Sequence, residues 1–227
     1  MGRLLGAFLL LGLGLFVAAC SSPPQVANDP CNRMASLAPE SNLVVPNDGA
    51  HNNARLAEAV AAAVNTQRCR AGLLDLENDL TLVLIAQGHT DDMSAGGFFS
   101  SNSPIIGKGT LGERLESENV RFAEALENLQ KGFFMNYNKA TNFRVINAPR
   151  CQYAQIDASG RPRLISRHTY ITMAQDLVAD MMNTPSQRAA IMSPSASRQG
   201  IAITPTGSTT LCGEFVANQL IVTDIAS

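Results

Sequence analysis

Tryptophan is absent from this 227-residue chain, and the aromatic residues are only nine Phe and three Tyr. That leaves little with which to build a stacking platform for bases or sugars. Charge of one sign is also missing. Seventeen Lys and Arg stand against 19 Asp and Glu, a net of −2, so nucleic-acid binding has no electrostatic support. Histidine is scarce, with three in all. No Cys-x-x-Cys or Cys-x-x-His spacing occurs, which removes the usual framework of a structural zinc site. No Gly-x-Ser-x-Gly elbow presents a nucleophilic serine. The long apolar run, Leu4 to Val17, is too short and too rich in Gly for a membrane-spanning helix.

That run has a different reading. Arg3 supplies a positive flank, Leu4–Val17 an apolar stretch, and Val17-Ala18-Ala19-Cys20 fits a lipobox. We expect residues 1–19 to be a lipoprotein signal peptide and Cys20 to carry acyl chains, two or three of which anchor durably. The competing reading is an ordinary signal peptide cut near Ala19, with Cys20 unmodified. Ser21 rather than Asp follows Cys20, which in a Gram-negative cell favours the outer membrane, facing the periplasm. Residues 20–50 are rich in Pro, Ser, Asn and Asp and lack a sustained period; they read as a tether. Residues 51–227 form one domain.

Four further cysteines, Cys31, Cys69, Cys151 and Cys212, imply two disulfides in an exported chain. Three connectivities are open and the sequence does not choose among them. The expected pair is Cys31–Cys69, stapling the tether to the first helix, with Cys151–Cys212 tying a later segment to a sheet.

Helical and strand periods alternate along the domain. Asn52 or Asn53 caps a helix whose apolar face is Leu56, Ala59, Val60, Ala63 and Val64. A second helix from near Asn78 places Leu82, Ile85, Ala86, His89 and Met93 on one face, so His89 points inward. Gly96-Gly97 ends it, and Phe98 and Phe99 read as core anchors. Thr110-x-x-Glu113 is a capping box. Val120 to Asn128 alternates as a strand, although Phe122–Gln130 also fits a helix. Residues 133–149 read as irregular. The stretches 151–157 and 162–168 pair as a hairpin across Ala158-Ser-Gly-Arg161. Thr172 caps a further helix, and Gly200 onward supplies two or three strands. The order predicts an α+β fold, an α-β-α sandwich with helices packed on a small antiparallel sheet.

Four blocks occur in order: AQGHTDDMSAGGFFSSNSP (Ala86–Pro104), TLGERLES (Thr110–Ser117), ALEN (Ala125–Asn128) and MMNTPSQRAAI (Met181–Ile191). Together they resemble the CAP superfamily, in its bacterial secreted branch of SCP/PR1-like domains. That pattern runs as a helical His and Met, FFSH-x-SP, ERL, GEN and NSPGHR. The resemblance implies a central cavity with two histidines and acidic residues, which in some members holds a divalent metal. Here Ser101 and Gln187 replace the two histidines, and Glu127 remains. The segment 133–170 is an insertion relative to compact members.

The expected cavity set is therefore Ser101, Glu127, Gln187 and His89, with His168 a candidate substitute ligand. Ser and Gln are poor zinc ligands, so neither a metal nor a cofactor is expected. Glu127 alone lacks a nucleophile or second base. The preferred expectation is a non-catalytic envelope lipoprotein. It would be held to the membrane by its N-terminal lipid and bind a lipid-like, cell-wall or protein ligand, with no nucleic-acid partner. The alternative is an envelope peptidase or other hydrolase using Glu127.

Overall fold

The computed structural model describes residues 29–46, 50–137, 142–207 and 213–225. The signal peptide, Cys20 and Cys212 lie outside the described residues.

Helix α1 (Asn53–Arg70) starts at Asn52, whose side chain accepts a hydrogen bond from the Arg55 amide. Its predicted face, Leu56, Ala59, Val60, Ala63 and Val64, is buried throughout. At the other end Arg68 is fully buried and donates to the carbonyls of Leu74, Ile191 and Ser193 at 2.7–2.8 Å. A buried guanidinium is tolerated only when hydrogen-bonded, and this one gathers three chain ends. The Cys31–Cys69 disulfide forms as expected. It pins the short 3-10 helix Arg33–Ser36 beside α1. Cys151 is also disulfide-bonded, but the expected Cys212 partner is outside the described residues.

Helix α2 (Leu80–Gly96) follows the two-residue strand β1 (Glu77–Asn78), is capped by Asp79 and begins two residues past the predicted start near Asn78. Gly97, at φ +64°, closes it, a left-handed conformation suited to Gly. Helix α3 (Leu111–Ser117) opens on the predicted Thr110–Glu113 capping box. The ambiguous stretch then resolves as strand β2 (Glu124–Phe133), not helix. Strand pairing decided this: all ten residues are matched antiparallel to β7 (Glu214–Thr223).

The main sheet runs β1-β6-β7-β2, with β6 at Arg198–Pro205. Its strands pair antiparallel except β1, which lies parallel to β6. Side chains alternate between the two faces. One face presents Ile201, Ile203, Ala217 and Ile221 to α1, α4 (Tyr170–Asn183) and α5 (Pro185–Ile191). The other presents Ala202, Leu220 and Val222 to α2 and α3. This is the expected helix–sheet–helix sandwich. Gly200 permits the second packing: a Cβ there would lie 2.5 Å from the Val83 amide nitrogen.

The inserted segment carries its own three-stranded sheet, β3 (Phe143–Asn147), β4 (Gln152–Ile156) and β5 (Pro162–Leu164). The β4–β5 hairpin was expected. Strand β3 was not, because its residues are mostly exposed on both faces and so show no apolar alternation. Two other expectations need correction. Thr169, not Thr172, caps α4; Thr172 sits at the third helical position and closes the capping box. Phe98 is only partly buried and Phe99 is exposed, with the Lys131 ammonium 5.2 Å from the Phe99 ring centre.

Candidate functional site

Glu127 lies on the β2 face that looks toward α2 and α3. The register places it opposite Leu220 and two residues from the Leu129–Asn218 pair, so Asn218 shares its face. The Glu127 side chain is 4% exposed. A carboxylate at such depth needs partners, and three elements supply them. Arg114, on α3, donates from Nη2 to Glu127 Oε1 at 2.8 Å. Asn218, on β7, donates to the same oxygen at 2.9 Å. His89, on α2, brings Nε2 within 3.9 Å.

The loop between α2 and α3 lies over this cluster. His89 Nε2 faces the Ser100 carbonyl at 3.0 Å, which makes Nε2 the protonated nitrogen. Arg114 Nη1 donates to the carbonyls of Ser101 and Lys108 at 3.1 and 3.2 Å. Burial, helped by the Arg114 charge, holds the His89 pKa below its ordinary value despite the nearby Glu127 and the Ser100 carbonyl. The imidazole is therefore neutral at neutral pH. Several buried polar atoms have no hydrogen-bond partner among the described residues: Glu127 Oε2, Asn218 Oδ1, His89 Nδ1 and Arg114 Nε.

Of the expected cavity residues, the structure brings His89 and Glu127 together and adds the backbone of Ser101, whose side chain is exposed. It separates Gln187. That residue lies on α5, where its side chain donates to the Leu129 carbonyl at 2.8 Å and accepts from Gln130 at 2.9 Å. Gln130 and Asn128 project from the β2 face opposite Glu127. His168 does not reach the cluster either. Its Nδ1 lies 3.1 Å from Thr172 Oγ1 and its Nε2 3.9 Å from Asp176.

Arg114 and Asn218 were not picked out from the sequence. Each left a signal. Arg114 is the middle residue of the ERL block. Asn218-Gln219 is a polar pair inside the otherwise apolar run Phe215 to Val222, and polar residues in a central strand mark a hydrogen-bonded site.

The donor set does not suit a divalent metal. The Arg114 guanidinium holds the place beside the carboxylate that a cation would take. His89 is the one imidazole near it among the described residues. Two residues do not converge into the three or four ligands such an ion needs.

The structure is similar to that of an extracellular protein containing an SCP domain from Bacillus anthracis. The TM-score is 0.52 at 18% identity, over 80% of this chain and 45% of that one. The chain thus spans less than half of that protein. An outer surface protein of Borrelia burgdorferi aligns at a TM-score of 0.48 and 13% identity, over 73% of this chain and 90% of its own. A cysteine-rich secretory protein of Staphylococcus aureus aligns at 0.43 and 12%, over 75% and 40%. No family model and no curated protein matches the sequence. The chain has the fold of the bacterial SCP-type CAP domains.

Proposed function

We propose that the chain is a lipid-anchored protein of the bacterial envelope whose CAP-like domain binds a ligand and does not hydrolyse it. The observation that carries this reading is the Arg114–Glu127 pair. A carboxylate held at one oxygen by a guanidinium and an amide is fixed in place by charge-assisted hydrogen bonds. With His89 neutral and no nucleophile within the cluster, the arrangement suits recognition better than acid–base chemistry. Glu127 Oε2 and Asn218 Oδ1 are buried and unpaired among the described residues, so a ligand that engages them displaces the covering loop and offers hydroxyl or amine donors. Phe99, Ile105 and Ile106 are exposed on the covering loop and favour a ligand with an apolar part, lipid-like or from the cell wall. The lipobox at Cys20 supports anchoring, and the extracellular setting of the Bacillus protein agrees with export.

The test is to purify the full chain from its own membranes and identify co-extracted small molecules by mass spectrometry. A ligand retained by the wild type and lost from a folded Glu127→Gln variant is the expected result. Turnover of ester or peptide substrates by the wild type, abolished by the same substitution, would replace this reading with the hydrolase one.

A further inference from the structure

The inserted segment is electrically unlike the rest of the chain. Residues 133–170 contain six Lys and Arg and one acid, Asp157, a net of +5. The remainder holds 11 Lys and Arg against 18 Asp and Glu, a net of −7. The single acid does not neutralise the segment: Asp157 pairs with Arg163 at 3.0 Å. The guanidinium groups of Arg144, Arg150 and Arg161 have no ion-pair partner among the described residues.

The same small sheet exposes aliphatic side chains. Arg144 pairs with Ala154, and Ala154 with Leu164, so all three lie in one row on one face. Ile156 lies on that face two residues along, opposite Pro162. Leu164 is 67% exposed and Ile156 38%. Three short strands have little stability alone. Contacts with the rest of the domain include the Met135–Arg167 bridge and ring contacts running Phe133–Tyr137–Phe143–Tyr153. On this face Arg144, Ile156 and Leu164 are exposed around Ala154, which is itself buried.

We propose that the Arg144–Ile156–Leu164 face docks onto an anionic lipid surface. Arg144 with Ile156 and Leu164 on one face, and Arg150 and Arg161 in the turns flanking β4, match such a surface at two depths. The guanidiniums meet phosphate headgroups and the aliphatics enter the boundary between headgroups and acyl chains. A soluble polyanion would use only the charges. The acidic remainder is repelled by the same surface, so the charge asymmetry also sets orientation. An N-terminal lipid would keep the chain near a membrane; this face determines which side of the domain lies against it.

The absence of Trp supplies the test. In the full chain, Leu164→Trp places a lone reporter on the proposed face. Leu74→Trp places one at the far end of α1, where Leu74 is 84% exposed, about 27 Å along the helix from its start. Vesicles of phosphatidylcholine alone and with phosphatidylglycerol are added, some carrying brominated acyl chains. A blue shift and bromine quenching at Leu164→Trp only, and only with phosphatidylglycerol, is the expected result. Exchanging Arg144, Arg150 and Arg161 for Gln weakens binding by roughly a hundredfold, at about 1 kcal/mol per arginine. No shift at Leu164→Trp, equal shifts at both reporters, or indifference to the arginine exchange overturns the proposal. So does a shift produced equally by heparin or by raising protein concentration, which would assign the face to a soluble polyanion or a second copy.

Discussion

Arg114 Nη2 stands 2.8 Å from Glu127 Oε1, with the two side chains 3% and 4% exposed. The guanidinium also holds the loop above it through the Ser101 and Lys108 carbonyls. One residue therefore neutralises the acid at the centre of the site and fixes the segment that covers it.

Removing one partner of this pair leaves the other charged and buried. Arg114→Met is expected to cost about 3–5 kcal/mol, and Glu127→Gln less, since the amide oxygen still accepts from Arg114 and Asn218. A double-mutant cycle read by urea unfolding checks this; the two losses should be well short of additive.

Restoring the histidines that the CAP pattern contains should not create a metal site. Ser101 sits on the α2–α3 side of the sheet and Gln187 on the α5 side. Calorimetric zinc titration of Ser101→His/Gln187→His is expected to match the wild type. Tight stoichiometric binding by the double variant alone would show that the two positions converge.

Stability should fall as the medium is acidified below the ordinary His value of 6.5. The His89 pKa is lowered in the folded state, mainly by burial. Between the two values the unfolded chain binds the extra proton, so unfolding is favoured as pH drops. Asp79 and Asp224, whose pKa values are lowered from 3.8, add their own loss only below that range. Urea midpoints measured from pH 7 to 4.5 should show a shallower slope in His89→Gln than in the wild type.

The Cys31–Cys69 bridge spans 38 residues. In the chain-entropy account a loop of that size contributes about 4 kcal/mol. Cys31→Ser/Cys69→Ser should melt well below the oxidised wild type, and the freed segment from residue 29 to 37 should become the first site of proteolysis.

Gly200→Ala should destabilise by about 1–3 kcal/mol through overpacking, because the new methyl meets the α2 backbone at Leu82 and Val83. The shift of α2 carries His89 with it. Thermal melting gives the cost, and the His89 imidazole resonances report the movement.

Much of the fold was legible in the sequence because it is local. Asn52, the Thr110–Glu113 box and the buried faces of α1 and α2 follow from capping and helical spacing, which involve residues a few positions apart. Cys31–Cys69 was among three possible frameworks and was the pairing expected. Strand β3 escaped because, on an insert wet on both sides, nothing forces apolar and polar residues to alternate.

The sequence by itself determined most of the helices and strands and that His89 would face inward; an inward Glu127 was implied by the family resemblance. Only the tertiary structure decided which inward residues meet. Period 2 along β2 sends Glu127 to one face and Asn128 to the other, and the pairing of β2 with β7 sets Asn218 beside Glu127. Packing α3 over the same face delivers Arg114, while α5 takes Gln187 to the opposite side. A side chain's face is a local property of its strand, but its partner depends on contacts across 91 residues of chain, and no spacing along the sequence encodes those.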